Sequence, residues 1–269
     1  MKLKVALAQI APKMCDIAAN LNKMDDIVSE TDAELAVFPE MFTSGYMCRD
    51  EHFRLAGEMK GSTVSQIKKM AEEYEKYIIT GIGIKDGKRL YNSALYASPD
   101  GEVKRYDKMF LPTFGPFEEK IYFTPGDAPL MIETEFGKIG IIICYDLFFP
   151  ELARYYALNG ADILVVISAS PSVTRKFFEN IMVSRAVENT VFLLYANLVG
   201  TELNLTFWGG DRVVGPRGDI KAKGPYFKEK IVEAVLDMDE LEIARRLRPS
   251  VVDAREDLLE MLKKIPEGL

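Results

Sequence analysis

The chain has 269 residues, 48% of them apolar and 28% charged, enough to bury a full core, and its 19 Gly and 13 Pro do not suggest long disorder. A formal charge of −7 weighs against nucleic acid or an anionic membrane surface as a partner. No uncharged apolar run approaches the roughly 18 residues of a membrane span, and Met1-Lys2-Leu3-Lys4 leads straight into a strand-like segment rather than a signal peptide.

In chain order, strand-like runs fall at residues 3–10, 35–39, 77–84, 90–98, 103–107, 130–134, 138–144, 163–169, 191–198, 211–214 and 231–237. Helical patterns fall between them at residues 20–29, 64–75, 151–158, 178–188 and 240–246. Thr63-x-x-Gln66 reads as a capping box for the second helix, and Asn159-Gly160 as a stop for the third. Turn chemistry at Asp86-Gly87, Pro99-Asp100-Gly101, Phe136-Gly137 and Pro216-Arg217-Gly218 makes several neighbouring strands hairpins. Eleven strands against five helices are too many for one alternating βαβ sheet. Two sheets packed face to face, with helices on both outer faces, would bury them all. No linker or repeat divides residues 1–269, so a single domain is expected. Residues 248–269 form a charged tail, either solvated or packed on a partner subunit.

Three of these strands end in residues able to carry chemistry. Residues 35–39 lead into Glu40, residues 103–107 into Lys108, and residues 138–143 into Cys144, just before Pro150-Glu151-Leu152 opens a helix. Strand C-termini converge on one edge of an α/β sheet, which would bring the three together. A thiol with a pKa of about 8.5 is mostly protonated at neutral pH and needs a base or a cation beside it. The single histidine, His52, lies in the polar stretch Arg49-Asp50-Glu51-His52 and is expected to be solvated, which argues against a Cys–His pair. Glu40 would then be the base, and Lys108 the cation that stabilises the thiolate and the oxyanion. The backbone N–H of Tyr145 would be a second oxyanion donor, a contribution of about 3–4 kcal/mol.

The stretches Phe38-Pro39-Glu40, Tyr106-Asp107-Lys108, Gly140-x-x-x-Cys144-Tyr145-Asp146, Phe149-Pro150-Glu151 and Arg185-Ala186-x-Glu188-Asn189 run in one order across most of the chain. In this the chain resembles the nitrilase, or carbon–nitrogen hydrolase, superfamily. The resemblance implies a four-layer αββα sandwich of two mixed β-sheets and a Glu–Lys–Cys triad of Glu40, Lys108 and Cys144. The segment from Glu119 to Asp127 matches the family stretch that carries a second glutamate, assigned to Glu119 rather than Glu118 by the six-residue step to Pro125. Cys144-Tyr145-Asp146 resembles the amidase branches rather than the nitrilases. Where relatives often have His two residues after the lysine, this chain has Phe110, and Leu147-Phe148-Phe149 departs from the arginines of N-carbamoyl-D-amino-acid hydrolases.

The implied activity is cleavage of a small linear amide through a Cys acyl-thioester, releasing ammonia or an amine. An N-carbamoyl-amine hydrolase or a nitrilase with the same triad stays open, as does a non-catalytic binding module on this scaffold. No cofactor is expected. No His-Glu-x-x-His or Cys-x-x-Cys spacing suggests a metal, and Gly81-x-Gly83 lacks the rest of a dinucleotide fingerprint. The partners implied are a small amide or carbamoyl substrate and a second copy of the chain as a homodimer. Phe117 and Phe148 are candidates for an acyl pocket, and Arg175 for pairing with a substrate carboxylate. Asp146 is expected to cap the helix after the nucleophile, and Arg185, Glu188 and Asn189 to form a structural hydrogen-bonding cluster. An odd number of widely spaced cysteines fits a reducing, cytoplasmic setting, with Cys15 and Cys48 as spectators and no support for a bridge between them.

Overall fold

A computed structural model describes residues 1–261. The strands are β1 (Lys2–Gln9), β2 (Leu35–Val37), β3 (Tyr77–Asp86), β4 (Arg89–Ala97), β5 (Val103–Asp107), β6 (Met131–Thr134), β7 (Gly137–Ile143), β8 (Ile163–Ser168), β9 (Phe192–Asn197), β10 (Val199–Glu202), β11 (Leu205–Trp208), β12 (Arg212–Val214), β13 (Ile220–Lys223) and β14 (Lys230–Asp237). The helices are α1 (Ile17–Glu30), α2 (His52–Leu55), α3 (Ser62–Glu73), α4 (Glu119–Tyr122), α5 (Pro150–Leu158), α6 (Arg175–Asn189), α7 (Asp239–Leu247) and α8 (Glu256–Met261).

Two six-stranded sheets form, in the orders β14-β1-β2-β3-β4-β5 and β13-β12-β9-β8-β7-β6. Each has three parallel strands at its centre, β1-β2-β3 in one and β7-β8-β9 in the other, with antiparallel neighbours outside them. The period-2 alternation of the first sheet divides its side chains between two cores. Leu3, Val5, Leu7, Leu35, Val37 and Ile79 face the second sheet, where Ile141, Ile143, Val165 and Leu193 belong to the same cluster. Ala36, Phe38, Ile78 and Ile82 turn the other way, onto Leu21, Met24 and Val28 of α1 and Val64, Ile67 and Met70 of α3. On the far face of the second sheet, α5 and α6 bury Leu152, Ala153, Tyr156, Phe178, Met182 and Ala186. Each such aliphatic or aromatic side chain contributes about 1.5–3 kcal/mol by leaving water. The layers are therefore αββα, as the strand count requires.

All eleven expected strands and five expected helices form, with ends shifted by a few residues. Three strands were not legible. β10 and β11 make a separate hairpin whose turn holds Leu203 at φ 50°. β13, Ile-Lys-Ala-Lys, is a mostly exposed edge with no apolar run to mark it. The expected capping box at Thr63 is not used: α3 begins at Ser62 with Gly61 as its N-cap, which places Thr63 inside the first turn. Asn159 does close α5, followed by Gly160 at φ 87°.

Two further expectations are corrected. His52 is 3% exposed rather than solvated, because its ring packs on Phe123 and Tyr122 beneath the loop that precedes it. Cys15 and Cys48 form a disulfide, with Cα atoms 5.9 Å apart. The β1–α1 loop and the loop after β2 bring them together although 33 residues separate them. Of the three cysteines, only Cys144 is free, and cysteine usage no longer argues for a reducing compartment. In the tail, residues 256–261 form α8; residues 262–269, part of the stretch considered for packing on a partner, lie outside the described residues.

Candidate active site

Glu40 follows β2 by three residues. Hydrogen bonds from Phe38 N–H to Ile79 O (2.7 Å) and from Gly81 N–H to Pro39 O (3.0 Å) carry the pairing with β3 right up to it. The chain then turns sharply, with Met41 at φ 52°. Gly81 makes this possible: a Cβ there would lie 2.1 Å from Met41 N and 2.5 Å from Glu40 Cα. The Gly81-x-Gly83 pair is thus a seat for Glu40, not a phosphate cradle.

Lys108 follows β5, whose direction matches β3 because two antiparallel steps separate them. Its ammonium therefore reaches the same edge as Glu40, and its N–H donates to Asn92 O of β4 (2.9 Å). Glu119 opens the short helix α4, while Glu118 is exposed.

These side chains meet in the interior. Lys108 Nζ, with no exposed surface, donates to Glu40 Oε1 at 2.8 Å and to Glu119 Oε1 at 2.7 Å. Glu40 also accepts from Asn92 Nδ2 at Oε1 (2.7 Å) and from the Ala169 N–H at Oε2 (2.7 Å). Ala169 directly follows β8, so Glu40 of one sheet is tied to a strand end of the other. Glu119 Oε1 accepts a further bond from Tyr46 Oη (2.7 Å). Tyr46 is held by its own N–H and that of Met47, both donating to Glu202 Oε2 at 2.8 Å.

Cys144 ends β7 and begins a 3-10 turn over Cys144–Phe148, with φ 48° at the cysteine itself. A left-handed non-glycine residue costs roughly 1–2 kcal/mol, and several bonds hold the turn against it. Asp146 accepts from Tyr106 Oη (2.8 Å), Phe110 N–H (2.9 Å) and Ile143 N–H (3.2 Å), so it ties this turn and not the helix that follows, where Phe149 is the N-cap of α5 without a side-chain bond. Arg185 donates from Nε to Leu147 O (3.1 Å) and from Nη1 to Glu188 (2.9 Å), and Asn189 donates to Arg185 O (3.0 Å). The cluster expected of these residues is a clamp from α6 onto the turn. Gly140 lets β7 approach α5, since a Cβ there would lie 2.5 Å from the Tyr156 ring. Phe110, standing where relatives often carry His, stacks on Phe149 at 3.5 Å between ring centres.

Burial dominates the electrostatics. It draws the Lys108 ammonium down, but Glu119 and Glu40 outweigh it and hold the pKa well above its ordinary value. Burial pushes Glu119 up to about 7 despite the pull of Lys108. Burial and then the Glu40 charge raise the Cys144 thiol far above its usual range, with Lys108 pulling less strongly the other way. Burial also lifts Asp146 to about 6, tempered by Lys108 and the hydrogen bonds it accepts. The thiol is therefore protonated at rest, and thiolate would form only as a proton leaves it during attack.

Beside Cys144 lies a cavity of about 200 Å³ bordered by Phe114, Phe117, Tyr145, Phe148, Phe177 and Phe178, with Pro112, Ser170 and Thr174 completing its wall. Phe117 and Phe148 are where the sequence placed an acyl pocket. Arg175 is instead stacked over the Tyr226 ring at 4.7 Å, and no residue that borders the cavity is charged. Asn92, Tyr46 and Ala169 were not singled out from the sequence. Asn92, a polar residue inside an otherwise apolar strand, carried a faint signal. Tyr46 and a backbone amide carried none. Among the described residues, no cluster of three or more His, Cys, Asp or Glu suits a metal ion.

An αββα sandwich with a buried Glu–Lys pair beside a lone thiol defines a class of cysteine-dependent hydrolases. The carbon–nitrogen hydrolase family model matches residues 4–246, and the chain belongs to that family. A nitrilase of Pyrococcus abyssi is 34% identical over 243 residues, covering 88% of this chain and 90% of its own length. The carbon–nitrogen hydrolase of Helicobacter pylori G27 superposes with a TM-score of 0.90 at 29% identity, over 97% of this chain and 98% of that one. A double mutant of the amidase from Nesterenkonia sp. AN1, in complex with acrylamide, superposes with a TM-score of 0.85 at 27% identity, over 97% of each chain.

Proposed function

We propose that this carbon–nitrogen hydrolase cleaves the linear amide of a small molecule whose acyl group is apolar, through an acyl-thioester on Cys144. The observation that carries the reading is Lys108, fully buried and bonded to both Glu40 and Glu119, next to a thiol that opens on an uncharged cavity. As the thiol attacks the carbonyl carbon, Glu40 takes its proton. The carbonyl oxygen gathers negative charge against Lys108 and the N–H of Tyr145, at the start of a turn where backbone donors are free to point outward. Collapse of the tetrahedral adduct breaks the C–N bond, and Glu40 returns the proton to the leaving nitrogen. Water then attacks the thioester, with Glu40 again as base, and frees the acid and the thiol. Glu119 orients Lys108 and meets the substrate nitrogen.

The uncharged wall favours a neutral acyl group and disfavours a substrate carboxylate or amine near the carbonyl. Nitrile or N-carbamoyl hydrolysis would use the same groups, and the resemblance to a nitrilase keeps the nitrile in view. A panel of matched amide, nitrile and ureido compounds, scored by ammonia release, tests the choice. Dominant turnover of the nitrile would overturn it. Alkylation tests catalysis against mere binding: Cys144 is the one free thiol, and blocking it should abolish ammonia release, which a binding module would never show. We propose, too, that the chain is a homodimer, consistent with exposed Tyr155, Leu158 and Phe177 on α5 and α6. A monomeric mass by light scattering would refute that.

A further inference from the structure

Beside Glu119, a small cleft that shares no lining residue with the apolar cavity opens to the surface. Tyr46, His52, Glu119 and Tyr122 line it, with Arg49 and Glu118 among its other residues. Two of these residues are almost fully buried and hold an atom with no hydrogen-bond partner among the described residues. These are His52 Nδ1 and Glu119 Oε2, each on a residue 3% exposed. A buried polar atom left without a partner costs about 1–3 kcal/mol, so two along one cleft call for an explanation.

The hydrogen bonds around them define what each can do. His52 Nε2 lies 3.0 Å from Tyr46 O, a carbonyl that can only accept, so Nε2 carries the proton. Burial lowers the ring's pKa to about 4, so at neutral pH the imidazole is uncharged and Nδ1 presents a bare lone pair. Glu119 Oε1 is occupied by Lys108 and Tyr46, which leaves Oε2 to accept whenever this carboxyl, raised by burial to about 7, is ionised. In that state both orphan atoms are acceptors. The cavity measures about 20 Å³, and on the same measure one water-sized molecule needs roughly 10–15 Å³. Charge narrows the choice further: with Glu119 ionised, Glu40 and Glu119 share a single ammonium, Lys108.

We propose that this cleft is a binding site for ammonium, held between the His52 Nδ1 lone pair and Glu119 Oε2. An ion with four N–H donors and no acceptor suits two acceptors, and its charge compensates the excess carboxylate. The site would give the leaving nitrogen a way out that does not cross the acyl pocket. That role rests on the proposed amide cleavage; binding of the ion does not.

The chain's single histidine makes the test direct. With ¹⁵N-histidine incorporated, the two ring nitrogens of His52 are the only labelled ring signals in the protein. Titrating ammonium chloride at constant ionic strength, balanced with sodium chloride, should shift the Nδ1 resonance saturably while Nε2 stays nearly still. Glu119→Gln should raise the ammonium concentration for half-saturation at least tenfold. A proton on Nδ1, an imidazolium at neutral pH, or an Nδ1 shift indifferent to ammonium would overturn the proposal, the last pointing to water in the cleft. Cys144→Ala should titrate like the unaltered chain. If that variant still turned over amides, only the functional reading would fall.

Discussion

Glu40 and Cys144 each lie just beyond a parallel strand, Glu40 after the middle strand of its parallel trio and Cys144 after an outer strand of the other, and the fold treats them differently. The carboxylate is immobilised by Asn92, Lys108 and the Ala169 amide. Its neighbour Cys144 sits in a left-handed turn against an aromatic-walled cavity, with its strain contained by Asp146 and Arg185. A base can be locked in place because it only exchanges a proton. A nucleophile must meet a substrate carbon, so it stands where a strand turns sharply and its side chain is presented outward. In the proposed mechanism the left-handed Cys144 is the residue that would make and break bonds.

Removing the presented group breaks this comparison most completely. Cys144→Ala should reduce amide turnover by about 10⁴-fold or more, measured by ammonia release. Full residual activity would end the mechanism. Glu40→Gln keeps the shape of the anchored side and removes its basicity, and should lower kcat on the order of 10³-fold. A loss confined to KM would mean that Glu40 binds rather than accepts the proton.

Stability should also separate the two sides. Lys108→Met leaves two buried carboxylates facing each other and should cost about 3–5 kcal/mol by denaturant melts. Cys144→Ser should change stability far less, since no buried charge loses its partner.

A smaller effect sharpens the picture of how the anchored side is held. Tyr46→Phe deletes one charge-assisted bond to Glu119, worth about 1.5–3 kcal/mol, and should raise the Glu119 pKa above its value of about 7. The low-pH limb of kcat against pH should move to higher pH, whereas loss of packing alone would leave it in place.

The mildest test lies outside the reacting groups. His52 titrates at about 4 in the folded chain against an ordinary 6.5, so the unfolded chain binds the extra proton between those values. Its contribution is present in full above about pH 6.5 and is lost as pH falls toward 4, a change of roughly 3 kcal/mol. His52→Phe should flatten that part of the stability–pH curve. An unchanged slope would show that the ring is not buried uncharged.

Much of this was legible along the chain. Apolar runs placed β2 and β3, and the polar residue after each of three strands marked Glu40, Lys108 and Cys144. The choice of Glu119 over Glu118 came with the family resemblance, aligned on the step to Pro125; Glu119 is buried on Lys108 and Glu118 is exposed. Local pattern speaks to local structure, and these features are local.

What the tertiary structure alone decided involves groups distant in sequence. The burial of His52, the bridge from Cys15 to Cys48, and the pairing of Tyr46 with Glu119 across 73 residues leave no periodic trace. Arg175 looked available for a substrate carboxylate until α6 laid it over Tyr226. The sequence settled which residues have the chemistry to react. Folding settled their protonation: removal of water raises Glu119 and Cys144, while at Lys108 two carboxylates outweigh it, and only packing of distant segments supplies either influence.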